Sequence, residues 1–322
     1  MKMNSLRYVV VLIVGLFLIF QIFGEHTPFG KKNSDFAVTP GTDITGIDLM
    51  KGGKKVSIRL SGNEWMVNRT REARKTAVMF LIKTLREIKI KSPVSDVVFR
   101  SEVVDNKTEP VRVVVYDGRR PVKIFYVYQT PSNKYGNIMR MRPSSLPFIV
   151  YMPGYEDNIG SHFVTDELFW LPFSVFTLLP SQIESVELQN YKDPSASFNI
   201  VRTSDHFSVY ENNQPVNGFD SLRIKRYISY FTSVSFESWA LNLSENERHQ
   251  IESSSPMYRI NVKTNDGRFE KLTIWERFTD PVKGEKDTDR VWAEKNDGKG
   301  IFVLRYFDLD PILKNKSYFF GS

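Results

Sequence analysis

Two stretches of this 322-residue chain carry the same succession of short alternating apolar runs and turn signals, about 140–150 residues apart. That repetition limits the fold more than any single motif. Phe36 to Leu49 (FAVTPGTDITGIDL) is echoed by Phe176 to Leu188 (FTLLPSQIESVEL) with one residue fewer, matching Pro40 to Pro180, Ile44 to Ile183 and Leu49 to Leu188. Val56 and Ile58 then alternate after the Gly52-Gly53 turn, and Trp65 and Val67 after Ser61-Gly62-Asn63; Phe198 and Ile200, then Phe207 and Val209, take their places in the second stretch. Apolar residues at every second position mark strands with one buried face, so each stretch opens as a meander.

Each meander leads into a helix. Thr70 to Ile88 places Ala73, Ala77, Leu81, Leu85 and Ile88 on one stripe, and Asp220 to Val234 places Ile224, Tyr227, Ile228 and Phe231 at i, i+3, i+4 and i+7. Hairpins follow. Val111, Val113 and Val115 run into Asp117-Gly118 and Ile124, Tyr126 and Tyr128 run out; Tyr258, Ile260 and Val262 run into Asp266-Gly267. Phe148 to Met152 adds a strand to the first stretch, and a hairpin at Asp297-Gly298, between Val291-Trp292 and Ile301 to Tyr306, closes the second.

Before the repeats, Tyr8 to Phe23 (YVVVLIVGLFLIFQIF) is apolar apart from Gln21 and follows Lys2 and Arg7. As a helix it rises about 24 Å, against about 30 Å of hydrocarbon, so Leu6 and Gly24 must extend it. A cleaved signal peptide is the competing reading, but Ile22 stands where a small residue is wanted, and a retained signal anchor is expected. The expected fold class is α+β: an N-terminal transmembrane helix followed by two tandem copies of a mostly antiparallel β-β-β-α-β-β unit. The expected boundaries are an anchor over 1–24, a juxtamembrane linker over 25–35, a first repeat over 36–160, an aromatic connector over 161–175 and a second repeat over 176–322. Residues 6–24 would meet the lipid bilayer of the inner membrane, with the N-terminus in the cytoplasm and the folded part outside it.

The sequence has no cysteine, which removes disulfides, thiolate metal sites, a cysteine nucleophile and a lipidated cysteine. The net charge of +7 is uneven: residues 1–160 hold 25 Lys and Arg against 14 Asp and Glu, and residues 161–322 hold 19 against 23. The basic half would suit an anionic surface or acidic partner, or its cations simply solvate strand and helix faces.

The motifs "ITGIDL", "GGKKVSIRL", "NEWMVN", "VVVYDG", "PFIVYMPGYED" and "DELFWLPFSVFTLLPSQIESVEL" resemble a bacterial envelope family catalogued as domain of unknown function 4340. The resemblance spans nearly the whole chain. It implies a duplicated, mostly β domain without an established activity, accessory to an ABC-type export or gliding-like envelope machine. The stretch Thr130 to Pro147 departs from the pattern expected of the family.

No residue set stands out as catalytic, cofactor-binding or metal-binding. Ser161 and His162 are adjacent, and neighbours on a strand point to opposite faces. His26, His162, His206 and His249 lack ligand spacing, and Asp205-His206 sets a carboxylate beside an imidazole without further ligands around it. Gly52-Gly53 and Gly298-x-Gly300 sit in hairpin turns rather than in phosphate loops. Glu156-Asp157 reads as a solvated turn. Leu168, Phe169, Trp170, Leu171 and Phe173 read as apolar side chains buried between the copies, with an exposed partner surface as the other reading. The expected function is therefore a non-enzymatic interaction module with no cofactor and no nucleic acid, its partner an envelope or transporter protein. The alternatives are a domain binding an envelope polymer or a small ligand, and a hydrolase with a dispersed site.

Overall fold

In the computed structural model, which describes residues 30–130, 137–155, 158–204, 206–211, 214–296 and 300–320, the glycine turns close antiparallel hairpins. Gly52, Gly53 and Gly62 have φ of 54°, 78° and 60°, the left-handed region that two-residue hairpin turns require. The chain divides into two units between Leu171 and Pro172.

In the first unit nine strands form one sheet: β1 Gly46–Lys51, β2 Lys54–Ser61, β3 Glu64–Val67, β4 Arg71–Glu72, β5 Lys89–Pro93, β6 Val111–Asp117, β7 Arg120–Tyr128, β8 Asn137–Arg140 and β9 Phe148–Tyr151. Their order is β4-β3-β2-β1-β6-β7-β8-β9-β5. Ile47, Leu49, Val56, Ile58, Val113, Val115, Phe125 and Val127 supply the core face, all at most 1% exposed. Phe36 closes on this core, its ring 6.0 Å from Phe125 and 6.2 Å from Phe148. On the other face Tyr128 and Ile138 are covered by Val94 and Val103, with Val98, Phe99, Tyr126 and Ile149 packed around them. The alternation at Ile124, Tyr126 and Tyr128 therefore marks the outward face of β7, and Phe125 and Val127 the inward one.

The second unit contains β10 Ser174–Phe176, β11 Ile183–Asn190, β12 Phe198–Thr203, β13 His206–Glu211, β14 Gln214–Val216, β15 Val234–Ser235, β16 Ser238–Trp239, β17 Tyr258–Thr264, β18 Phe269–Trp275, β19 Phe278–Asp280, β20 Glu285–Lys286, β21 Arg290–Lys295 and β22 Ile301–Arg305. Nine of these form a sheet in the order β14-β13-β12-β11-β17-β18-β21-β22-β16, position for position the order of the first. The registers agree as well. Leu49 faces Val56 and Val113, and Leu188 faces Phe198 and Ile260; Trp65 faces Leu60, and Phe207 faces Arg202. Trp65 and Phe207 are both buried.

Three expectations are corrected. Among the described residues no helix is long and apolar enough to cross a membrane; Tyr8–Phe23, where the anchor was expected, lies outside them. The fold class with its transmembrane helix, and the single-pass inner-membrane placement drawn from it, give way to a mostly antiparallel β fold of two nine-stranded sheets. The five-strand unit was too small because it omitted short edge strands such as β4, β5, β14 and β16, whose two to five residues are too few to show a period. The first helix spans Lys75–Glu87 rather than Thr70–Ile88, since Arg71 and Glu72 pair with β3 after a turn at Asn68 and Arg69. The second spans Ser221–Ser229 and ends in a 3-10 turn, with Asp220 Oδ1 accepting from the Leu222 and Arg223 amides at its start.

The aromatic run over 163–176 divides between the units. Phe163 packs 5.8 Å from Phe125, while Phe173 and Phe176 pack against Phe236 and Phe231.

Candidate functional site

A β-sheet that buries one face leaves the alternate side chains free for another use. In the second sheet those alternate positions are mostly polar on β11, β12, β13 and β17, while Trp275, Trp292, Ile301 and Val303 stand among them on β18, β21 and β22. Register places Tyr210, Asn199, Glu187, Asn261 and Lys271 side by side across β13, β12, β11, β17 and β18. A parallel row one pleat away holds Gln189, Arg259, Thr273 and Glu294.

On this face lies a groove of about 450 Å³, lined by Glu187, Gln189, Ser197, Asn199, Tyr210 and Glu211 among others. One rim is the turn between β11 and β12. Asn190 Oδ1 accepts from the Lys192 and Asp193 amides at 3.0 and 2.9 Å, and Asp193 Oδ1 accepts from Ser195 Oγ at 2.6 Å. These bonds hold the rim in shape from the end of β11.

Glu187 is the carboxylate of this row and lines the groove. Its carboxylate accepts from Asn261 Nδ2 at 2.7 Å and from Gln189 Nε2 at 2.8 Å, and Tyr191 Oη donates to Gln189 Oε1 at 3.0 Å. Among the described residues no cation pairs with Glu187. The side-chain oxygens of Asn199 and Asn261 are buried without a hydrogen-bond partner. Such acceptors are costly to leave unmatched, as is the buried Arg259 Nε donor in the neighbouring row, which also lacks a partner.

The first sheet treats the same position differently. Asp48 occupies the place of Glu187, and it is 2% exposed. Arg59 Nη2 lies 2.6 Å from Oδ1 and Lys55 Nζ 3.0 Å from Oδ2, while Ser57 Oγ and Tyr116 Oη donate at 2.7 and 3.2 Å. Burial alone pushes this carboxyl up. Hydrogen bonds from Ser57 and Lys55, with the charge and hydrogen bond of Arg59, outweigh burial and hold it below the ordinary aspartate range. Because the folded value is the lower one, the contribution is present above the unfolded value of about 3.9 and is lost as pH falls through the folded value. Asp48→Asn is expected to cost about 2 kcal/mol at pH 7, discounted for the half-exposed Lys55, and to flatten the acid limb of stability against pH. Urea unfolding at pH 7 and at pH 3 checks both; equal costs at the two values would contradict the account.

The residues singled out in the sequence do not converge. Ser161 Oγ donates to the Asn158 carbonyl at 2.6 Å, while His162 turns to Tyr155 Oη at 3.1 Å and stands edge-on to Phe80 at 4.5 Å, so the two form no nucleophile–base pair. His162 lines a hollow of about 290 Å³ with Arg74, Phe80 and Phe169. His206 is exposed on β13 and His249 meets Ser253 on the helix Glu245–Ser253. His26, Glu156, Asp157, Asp205 and Gly298 lie outside the described residues. Among the described residues no group of three His, Cys, Asp or Glu is placed to hold a metal ion. Sequence reasoning missed Glu187 and Asn261, which lie 74 residues apart and meet only through the pairing of β11 with β17. No protein-family model matches the chain, and no curated protein matches it either.

Proposed function

We propose that this chain is a binding module that engages its partner through the outer face of the second sheet. The observation that supports the reading is the groove around Glu187, where a carboxylate held only by amides adjoins two buried amide oxygens that lack donors. A surface that served solvation alone would leave such atoms open to water. Here both oxygens are buried. Tyr210 and Tyr191 add aromatic area beside the polar row, the pairing of rigid rings with adaptable polar groups that recognition surfaces use.

A small polar ligand in place of a protein is the second reading, favoured by the groove's volume of about 450 Å³, within the usual range of ligand pockets. Both readings share one test. Backbone amide signals of the full chain are followed while peptides, polyamines, sugars and nucleotides are added in turn. The expected result is a set of shifts gathered at Glu187, Ser197, Asn199, Tyr210 and Asn261. Shifts gathered elsewhere, or none with any ligand, would overturn the proposal.

A further inference from the structure

The duplicated sheet supplies its own comparison, and it bears on what the groove recognises. The pairing β1 with β2 and β11 with β12 sets Asp48 level with Glu187, Ser57 with Asn199, Lys55 with Ser197, Arg59 with Val201 and Gly46 with Ser185. In the first unit the guanidinium of Arg59 lies across the sheet to reach Asp48, donating also to the Ile47 and Ile58 carbonyls at 3.1 and 3.0 Å and stacking 4.6 Å from the Tyr116 ring. Gly46 makes that path open, because a Cβ there would stand 2.9 Å from Arg59 Cδ. The second unit has lost the path and the cations together. Ser185 carries the Cβ, Val201 carries no charge, and the Lys55 position is Ser197, which lines the groove.

The carboxylate has remained. Nearby cations are engaged elsewhere: Lys263 with Glu184 at 2.6 Å, Lys192 with Glu276 at 2.8 Å and Lys316 with Glu211 at 2.6 Å. Arg259, opposite Gln189, lies over the Tyr191 ring at 5.6 Å and forms no ion pair with Glu187 among the described residues. A carboxylate, two unmatched amide oxygens and a tyrosine ring together ask for a group that is positively charged, rich in N–H donors and tolerant of an aromatic face.

We infer that the groove receives a cationic group, a primary ammonium or a guanidinium, which takes at Glu187 the place that Lys55 and Arg59 take at Asp48. This rests on the binding reading above and names its chemistry. In a protein partner the group is a lysine or arginine side chain; in a free ligand it is a polyamine. Either enters as a donor to Glu187, with the Asn199 side chain turning its amide oxygen to the added N–H groups.

Calorimetric titration of the full chain separates the alternatives. The probes are N-acetyl-lysine amide and N-acetyl-arginine amide, which present the side chains as a partner protein would, putrescine as a free amine, and N-acetyl-citrulline amide as the neutral isostere of arginine. The charged probes are expected to bind about tenfold or more tightly than the citrulline derivative, and more weakly as salt is raised. Tighter binding of the side-chain amides assigns a protein partner, and tighter binding of putrescine a free polyamine. Glu187→Gln is expected to weaken the charged probes about tenfold or more, and Ser197→Lys, which restores the first unit's arrangement, to displace them. Citrulline binding as well as arginine, or Glu187→Gln leaving the affinity unchanged, would overturn the inference. Should sugars or nucleotides shift the groove signals while cations do not, the cation assignment falls and the binding reading stands; should nothing reach the groove, the reading itself falls.

Discussion

Replacing Trp170 by alanine is expected to cost the first unit about 4–5 kcal/mol, the upper end for loss of a buried aromatic ring. Trp170 is fully buried, and its Nε1 donates to the Val164 carbonyl at 2.9 Å. Its own carbonyl accepts from the Arg74 amide at 2.6 Å, at the start of a helix that has no side-chain cap. Removing the indole leaves a cavity and orphans the Val164 carbonyl, two effects of the same sign. Trp170→Phe retains most of the ring and is expected to cost about 1–2 kcal/mol. Urea unfolding and amide exchange at Val113, Val115, Phe125 and Val127 measure both variants. A cost for alanine under about 1 kcal/mol would contradict the placement of Trp170 in the core.

Tyr227→Ala should be comparably damaging to the second unit, at about 4–5 kcal/mol. The ring stands 5.6 Å from Phe198, 5.2 Å from Phe319 and 5.4 Å from Phe231, and the hydroxyl donates to the Ile312 carbonyl at 3.0 Å. One side chain thus ties the helix Ser221–Ser229 to the sheet and to the C-terminal segment. Burial pushes the phenol far up, so it stays protonated while exposed tyrosines ionise near about 10. Tyr227→Phe isolates the hydroxyl and is expected to cost about 1–2 kcal/mol. Stability of the three proteins, with amide exchange at Ile200, Val209 and Ile260, decides it; equal costs for Phe and Ala would show that the ring contributes little.

Much of each meander was legible because burial of one face imposes a period of two on short strands. Leu49 and Leu188, or Trp65 and Phe207, could be matched before any fold was known, since each follows a turn that glycine or a short polar pair makes necessary. The hairpin turns were legible only as turns. Seven residues separate Val115 from its partner Lys123, and Val262 from its partner Glu270, with Asp117-Gly118 two places earlier in that span than Asp266-Gly267. A bulge between Val115 and Tyr116 takes up the difference, and nothing in the pattern announces a bulge. The helix Glu245–Ser253 did have a signature, the Ser244-x-x-Glu247 capping box, in which Ser244 Oγ and the Glu247 carboxylate exchange bonds with each other's backbone amides.

The site was hidden for a different reason. Alternation tells which residues face outward and says nothing of what stands beside them on the next strand. Asp48 and Glu187 look alike in the sequence; one is enclosed by Arg59, Lys55, Ser57 and Tyr116, the other by Gln189 and Asn261. That contrast depends on strand pairing over separations of up to 74 residues. Charge counting by halves gave its sign but not its place: the basic half neutralises its outward carboxylate internally, and the acidic half leaves one open.

The contrast between the two carboxylates is the centre of the account, and side-chain carboxyl ¹³C signals read it directly. During a titration with N-acetyl-lysine amide at constant pH and ionic strength, the Glu187 signal should move and saturate while the Asp48 signal stays fixed. A shift at Asp48 equal to that at Glu187, or no shift at Glu187, would contradict it.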